Sequence, residues 1–312
     1  MVLPLILAGL ALAALPGLAR PIGRRLPPAE WSQLTFLGLI GGTIVIEAGL
    51  ILLAAPTVLR SFDVGALADA CSRLAGPLVP FGDVGGWVAA ALAAGTAVAG
   101  GVGWARARAR LGSLEIEPYL GEHRLRGDHE VVVLPTDAHI AYSVDASLPQ
   151  VVISRGTVDS LSAAQLDVLI DHELAHLRLD HPRMLLLAEA SRVALRWWPP
   201  VQPSHKAFRA SIERWADDHA VAADPAARRD LRGALERITA LNGPVPVVAG
   251  FSLADATAER LAAMDQDPAA PRSLHAALYL PGAIVGLSAI ATFGMWMSQT
   301  QTVLAMAGRC PI

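Results

Sequence analysis

The sequence predicts an α-helical membrane protein of four transmembrane helices, with an α+β domain inserted between the third and the fourth. Three observations carry this expectation. The 312 residues are 53% hydrophobic and only 17% charged, with a mean hydropathy of +0.44, more apolar than a water-soluble chain needs to be. Four stretches approach the roughly 20 apolar residues that cross a bilayer core as a helix. Between the third and the fourth, the texture changes to short Val-rich runs followed by charged, periodic segments, as in a folded domain. Residues 1–110 are therefore expected to form a membrane region, 111–275 the inserted domain, and 276–312 the last helix and a short tail.

The apolar stretches are 2–19, 34–59, 86–105 and 276–298, and only the second carries a charge, Glu47. Trp31, Trp87, Trp104 and Trp296 lie at or near their ends, where indoles favour the membrane interface. No positive charge precedes the first stretch, while Arg20, Arg24 and Arg25 follow it. That is the wrong flank for a cleaved signal peptide and favours a retained anchor with its N-terminus outside. Arg106, Arg108 and Arg110 follow the third stretch and mark the inserted domain as cytoplasmic, so the C-terminus returns outside. The expected location is the cell membrane, crossed several times. Glu47 reads as a residue of a helix interface rather than a signalling element.

This topology puts both cysteines, Cys71 and Cys310, outside, where a disulfide can persist, and a bridge between them is expected. They are too far apart in sequence to form a cysteine metal motif. The net charge of −3 gives no reason to expect direct nucleic-acid binding.

Within the inserted domain, 130–134, 139–144 and 150–154 read as strands, punctuated by turn residues. Ser162 and Gln165 form a capping-box pattern that opens a helix over about 163–180, ended by Pro182. The helix contains His172-Glu173-Leu174-Ala175-His176, the order H-E-x-x-H. Histidines four apart leave the same face, so both imidazoles can hold one Zn²⁺ at about 2.0–2.1 Å. Glu173 stands beside them where hydrolysis needs a general base.

A catalytic zinc needs a third protein ligand. His181 is close in sequence but falls about a turn and a half beyond His176, poor geometry for the same metal. Leu179 and Pro182 stand where a metzincin needs Gly and His, which excludes that class. Glu213 and Asp217 in SIERWADDHAV share a helical face. Glu213 is the expected third ligand, and Asp217 a hydrogen-bond partner that fixes the tautomer of a ligand imidazole.

These motifs resemble the gluzincin membrane peptidases of the HtpX and BlaR/MecR types. The run VVISRGTVDSLSAAQLDVLIDHELAHLRLDHP is similar to the BlaR/MecR-type strand, turn and active-site helix, and WWPPV followed by FRASIERWADDHAVAA to its downstream corner and glutamate helix. The resemblance implies a zincin-like metallopeptidase domain with one zinc per chain. It implies His172, His176 and Glu213 as ligands, Glu173 as catalytic base and Asp217 behind the ligands. It further implies a cytoplasmic or membrane-proximal protein as substrate, a transcriptional repressor in a signalling pathway being one such target. Two alternatives remain open: an HtpX-type quality-control peptidase, and a non-catalytic zinc-binding membrane scaffold.

The chain departs from the BlaR/MecR pattern in one respect. No penicillin-binding domain is expected after the fourth stretch, and no Ser-x-x-Lys can form, since the only lysine is Lys206 and position 203 is proline. Of the remaining segments, 139–144 reads as an edge strand able to bind extended peptide, with Tyr142 a packing residue. Residues 184–198 read as a helix lying at the membrane interface through Trp197 and Trp198, and 226–241 and 253–264 as amphipathic helices.

Overall fold

The computed structural model describes residues 2–23, 25–62, 65, 82–114, 121–126, 129–145, 149–221, 224–242 and 254–265. The expected fourth transmembrane stretch, Cys71 and Cys310 lie outside the described residues. The chain is mostly helical with one small mixed sheet. The described residues divide into two compact units, one drawn from 2–11 and 41–98, the other from 12–40 and 99–265.

Helices come first. α1 (Val2–Leu18) is followed by a helical turn, α2 (Arg20–Gly23), and by α3 (Pro28–Ser61) and α4 (Gly82–Leu114). α3 and α4 are each long and apolar enough to cross a bilayer. α1 has 17 residues, a length of about 26 Å at 1.5 Å per residue, short of the roughly 30 Å hydrocarbon core. In the first unit these helices approach through small residues. A Cβ on Gly9 would lie 2.7 Å from Ile46, one on Gly49 2.5 Å from Ile6, and one on Gly86 2.0 Å from the Thr57 hydroxyl. Arg60 pairs with Asp83 at 2.6 Å, and one carboxyl oxygen of Glu47 is buried without a hydrogen-bond partner among the described residues.

The second unit holds the sheet: β1 (Glu122–Arg126), β2 (His129–Leu134), β3 (Ala141–Val144) and β4 (Gln150–Ser154), in the order β1-β2-β4-β3. β2 and β4 are parallel, and the outer strands pair antiparallel to them. Period-two alternation sends Val131, Val151 and Ile153 to one face, where Ile170 and Leu174 cover them, and Val132, Val152, Tyr142 and Val144 to the other. Three of these strands match expectation. β1 does not appear in the sequence reading, because Glu-His-Arg-Leu-Arg has no apolar alternation; its ladder to β2 makes it a strand.

A short α5 (Arg155–Ser160) leads to α6 (Ala163–Arg178), opened by the expected capping box at Ser162 and Gln165. Asp180 then takes a left-handed conformation (φ 56°), one that Asp tolerates better than most residues. α7 (His181–Ala194) starts at once with Pro182 in its first turn, where its missing N–H costs nothing. The single helix expected over 184–198 therefore ends at Ala194, and Trp197 and Trp198 lie in the turns that follow.

α8 (Val201–Val221), α9 (Pro225–Asn242) and α10 (Ala254–Met264) complete the unit. Val168 of α6, Val221 of α8 and Leu231 and Leu235 of α9 form a buried cluster that Leu261 and Met264 of α10 cover. The start of α8 is tied to other helices of the same unit. The Gly17 N–H donates to the Ser204 hydroxyl (2.9 Å), which donates to the Ala14 carbonyl (3.1 Å), and Phe208 packs on Phe36 with ring centroids 5.7 Å apart. α7 lies close to the end of α4, where a Cβ on Gly103 would come within 2.7 Å of Val193.

Candidate metal centre

α6 supplies the first two groups. Its 3.6-residue period sets Ile170 and Leu174 on the sheet, Val168 on the helical cluster, and His172 and His176 on one face between them. The imidazole rings stand edge to face with their Nε2 atoms 3.2 Å apart. α8 brings Glu213 against both: Oε2 lies 3.6 Å from Nε2 of His172, and Oε1 3.9 Å from Nε2 of His176.

One donor atom from each of the three residues lies within 4.8 Å of the others. A tetrahedral zinc with bonds of about 2.0–2.1 Å separates its donors by roughly 3.3 Å, so the observed spacings fit a metal with small adjustments. Charge agrees. Glu173, Glu213 and Asp217 crowd around Arg260, a surplus of carboxylates that a divalent cation offsets. The Glu213 side chain retains 23% of its exposure, so the centre is not sealed. His172, His176 and Glu213 could hold a metal ion.

The buried surroundings orient these groups. Asp217, one turn beyond Glu213, accepts from Nδ1 of His172 at 3.0 Å, so Nε2 is the nitrogen turned toward His176 and Glu213; a terminal nitrogen of Arg260 lies 3.4 Å from it. Arg260, on α10, is 2% exposed and forks onto Asp217 through Nε (2.9 Å) and one terminal nitrogen (2.6 Å). Its other terminal nitrogen lies 3.3 Å from Glu213. The sequence reading missed Arg260, because one Arg in an Arg/Glu-containing amphipathic segment looks like solvated surface. His181, set aside as a ligand, lies behind His176 with its Nδ1 2.9 Å from that ring's Nδ1.

Proton affinities of these side chains follow from this packing. Burial and the Arg260 charge oppose protonation of His172, yet its bonds to Asp217 and Glu213 prevail and push it up to about 9. Burial pushes His176 down to about 4 and His181 down to about 3. Burial opposes ionisation of Glu213 and Asp217, but His172 and Arg260 hold both carboxyls below their ordinary range. Burial raises Glu173, assisted by the Glu213 charge and opposed by His172, by Arg260 and by a hydrogen bond from Ser143 on β3.

The structure thus brings together every residue the sequence put forward for the centre: His172, Glu173, His176, Glu213 and Asp217. No protein-family model matches the chain, and no curated protein or solved structure matches it.

Proposed function

We propose that this chain is a membrane-anchored zinc-dependent endopeptidase. The observation that carries the reading is Glu173. It is half-buried beside a three-donor cluster, on the same helix as two of the donors, yet belongs to none of the donor pairs. A purely structural metal site closes all four positions with protein ligands and has no use for a free carboxylate beside it. A hydrolytic site requires one.

In this reading His172, His176 and Glu213 hold one zinc, and Asp217 with Arg260 keeps His172 and Glu213 in place. Zinc, when bound, acidifies water and polarises a carbonyl. Glu173 takes the proton of the attacking water and delivers it to the departing amide nitrogen, and its raised proton affinity suits both transfers. A hydrogen bond from Ser143 ties Glu173 to β3, the edge strand of the sheet, and a sheet edge is where an extended peptide adds as a further strand. The substrate is a cytoplasmic or membrane-proximal protein. The stretches 2–19 and 276–298 complete four spans, with both termini outside and the centre facing the cytoplasm.

Metal content of the purified full chain, together with new protein N-termini in cells expressing wild type or Glu173→Gln, tests this. One zinc per chain is expected in both. Cleavage should fall by about 10²- to 10⁴-fold in the variant. One or a few lost termini would indicate a dedicated signalling target such as a repressor, and many would indicate quality control. Zinc in both with identical termini would turn the reading into a zinc-binding scaffold.

A further inference from the structure

His181 has no part in the proposed hydrolysis, yet it is one of the most completely buried side chains described. Its residue exposure is 0%, and its ring packs on Trp215 with centroids 4.9 Å apart and edge to face on His176 at 5.0 Å. Its Nδ1 meets Nδ1 of His176 at 2.9 Å, and its Nε2 is buried with no hydrogen-bond partner among the described residues.

Two nitrogens at that distance share one proton, and elementary valence allows two arrangements for neutral rings. In the first, His176 carries its proton on Nδ1 and donates it to His181, so Nε2 of His176 presents a lone pair toward His172 and Glu213. In the second, His181 donates, and the proton of His176 sits on Nε2, pointing into the cluster where a metal would lie. Only the first is compatible with His176 as a ligand. The centre therefore needs an acceptor behind His176, as Asp217 supplies one behind His172 at 3.0 Å.

We propose that His181 is a positioning residue for the metal centre: its Nδ1 accepts the Nδ1–H of His176 and so commits Nε2 of that ligand to the metal. The proposal rests on the metal reading given above. The sharp reversal at Asp180 is what brings His181, five residues past His176 and outside α6, back to the far edge of the ring.

The test uses the full chain in detergent, with Zn²⁺ affinity read by competition with a chromophoric chelator and the visible spectrum of the Co²⁺-loaded protein. His181→Phe keeps an aromatic ring against Trp215 and removes the acceptor, whereas His181→Asn keeps an oxygen near the position of Nδ1. The Phe variant should bind zinc about 10- to 100-fold more weakly with an altered Co²⁺ spectrum, and the Asn variant should recover most of the loss. Equal affinity and spectrum in wild type and Phe overturn the role, as does an Asn variant as weak as Phe. If the Phe variant fails to fold, ¹⁵N-histidine NMR of the zinc-loaded wild type decides. A protonated Nδ1 on His176, coupled across the hydrogen bond to Nδ1 of His181, is expected, and its absence overturns the role. A folded wild type that takes no zinc overturns the metal reading and this role with it; zinc binding indifferent to His181 overturns this role alone.

Discussion

The two histidines of the centre sit one turn apart on the same helix and live in opposite surroundings. His172 backs onto charge: Asp217 at 3.0 Å, itself gripped by the buried fork of Arg260. His176 backs onto neutral rings, His181 and beyond it Trp215. One side is an ionic network in which each charge answers another, and the other is a desolvated aromatic stack. A single pair of ligands can thus be held by two different kinds of force, and the sides should fail under different insults.

The largest effect should come from breaking the charged side. Asp217→Ala strips a buried guanidinium of its main partner and His172 of its acceptor, at a cost of about 3–5 kcal/mol in stability. Chemical denaturation of the full chain in detergent measures it. The double variant Asp217→Leu with Arg260→Leu should lose less than the two single changes added together, since neither member of that pair is left facing a missing partner, although Glu213 loses its contact with Arg260.

Acid and base should separate the sides next. His172 in the folded chain has its proton affinity raised to about 9, above the ordinary 6.5. Its contribution to stability is complete below about pH 6.5 and is lost as pH rises toward 9. His176 and His181 are depressed to about 4 and about 3, so their contribution is complete above about pH 6.5 and is lost as pH falls toward those values. His205, buried elsewhere in the unit and depressed to about 4, acts in the same direction. Melting temperature against pH in a chelator should fall on both flanks. Zinc should remove the alkaline loss, because it requires His172 neutral.

The smallest effect should fall on both sides alike. Ser162→Ala removes the capping box of the helix that carries both ligands, at a cost of about 1 kcal/mol. Zinc affinity should be almost unchanged, which thermal melting and chelator competition read together.

The ligands on both sides were legible in the sequence, and of the groups behind them only Asp217 was. His172, Glu173 and His176 announce themselves by helical spacing, and Glu213 and Asp217 by theirs, because an α-helix converts sequence offsets into faces. Arg260 escaped notice because its burial comes from the helices packed around α10, which no local pattern encodes. In the sequence His181 stands out only as a possible ligand, and for that its distance along the helix is wrong. Its actual place depends on one residue, Asp180, adopting a positive φ. In the membrane region, apolar composition marked α3 and α4 well, whereas α1, helical over the 17 residues Val2–Leu18, is at the short end of the lengths that cross a bilayer.

α8 holds two tasks at its two ends. Ser204 and Phe208 are fastened to Gly17, Ala14 and Phe36, while Glu213 and Asp217 face the centre. From Ser204 to Glu213 is nine residues, about 14 Å of helix, a distance over which a helix behaves as a stiff rod. Glu213 is consequently no freer to move along the helix axis than Ser204 is. The present gaps of 3.6 and 3.9 Å to the imidazoles leave little slack, so a slide of one ångström at the anchored end would take the carboxylate out of reach of a metal held by His172 and His176.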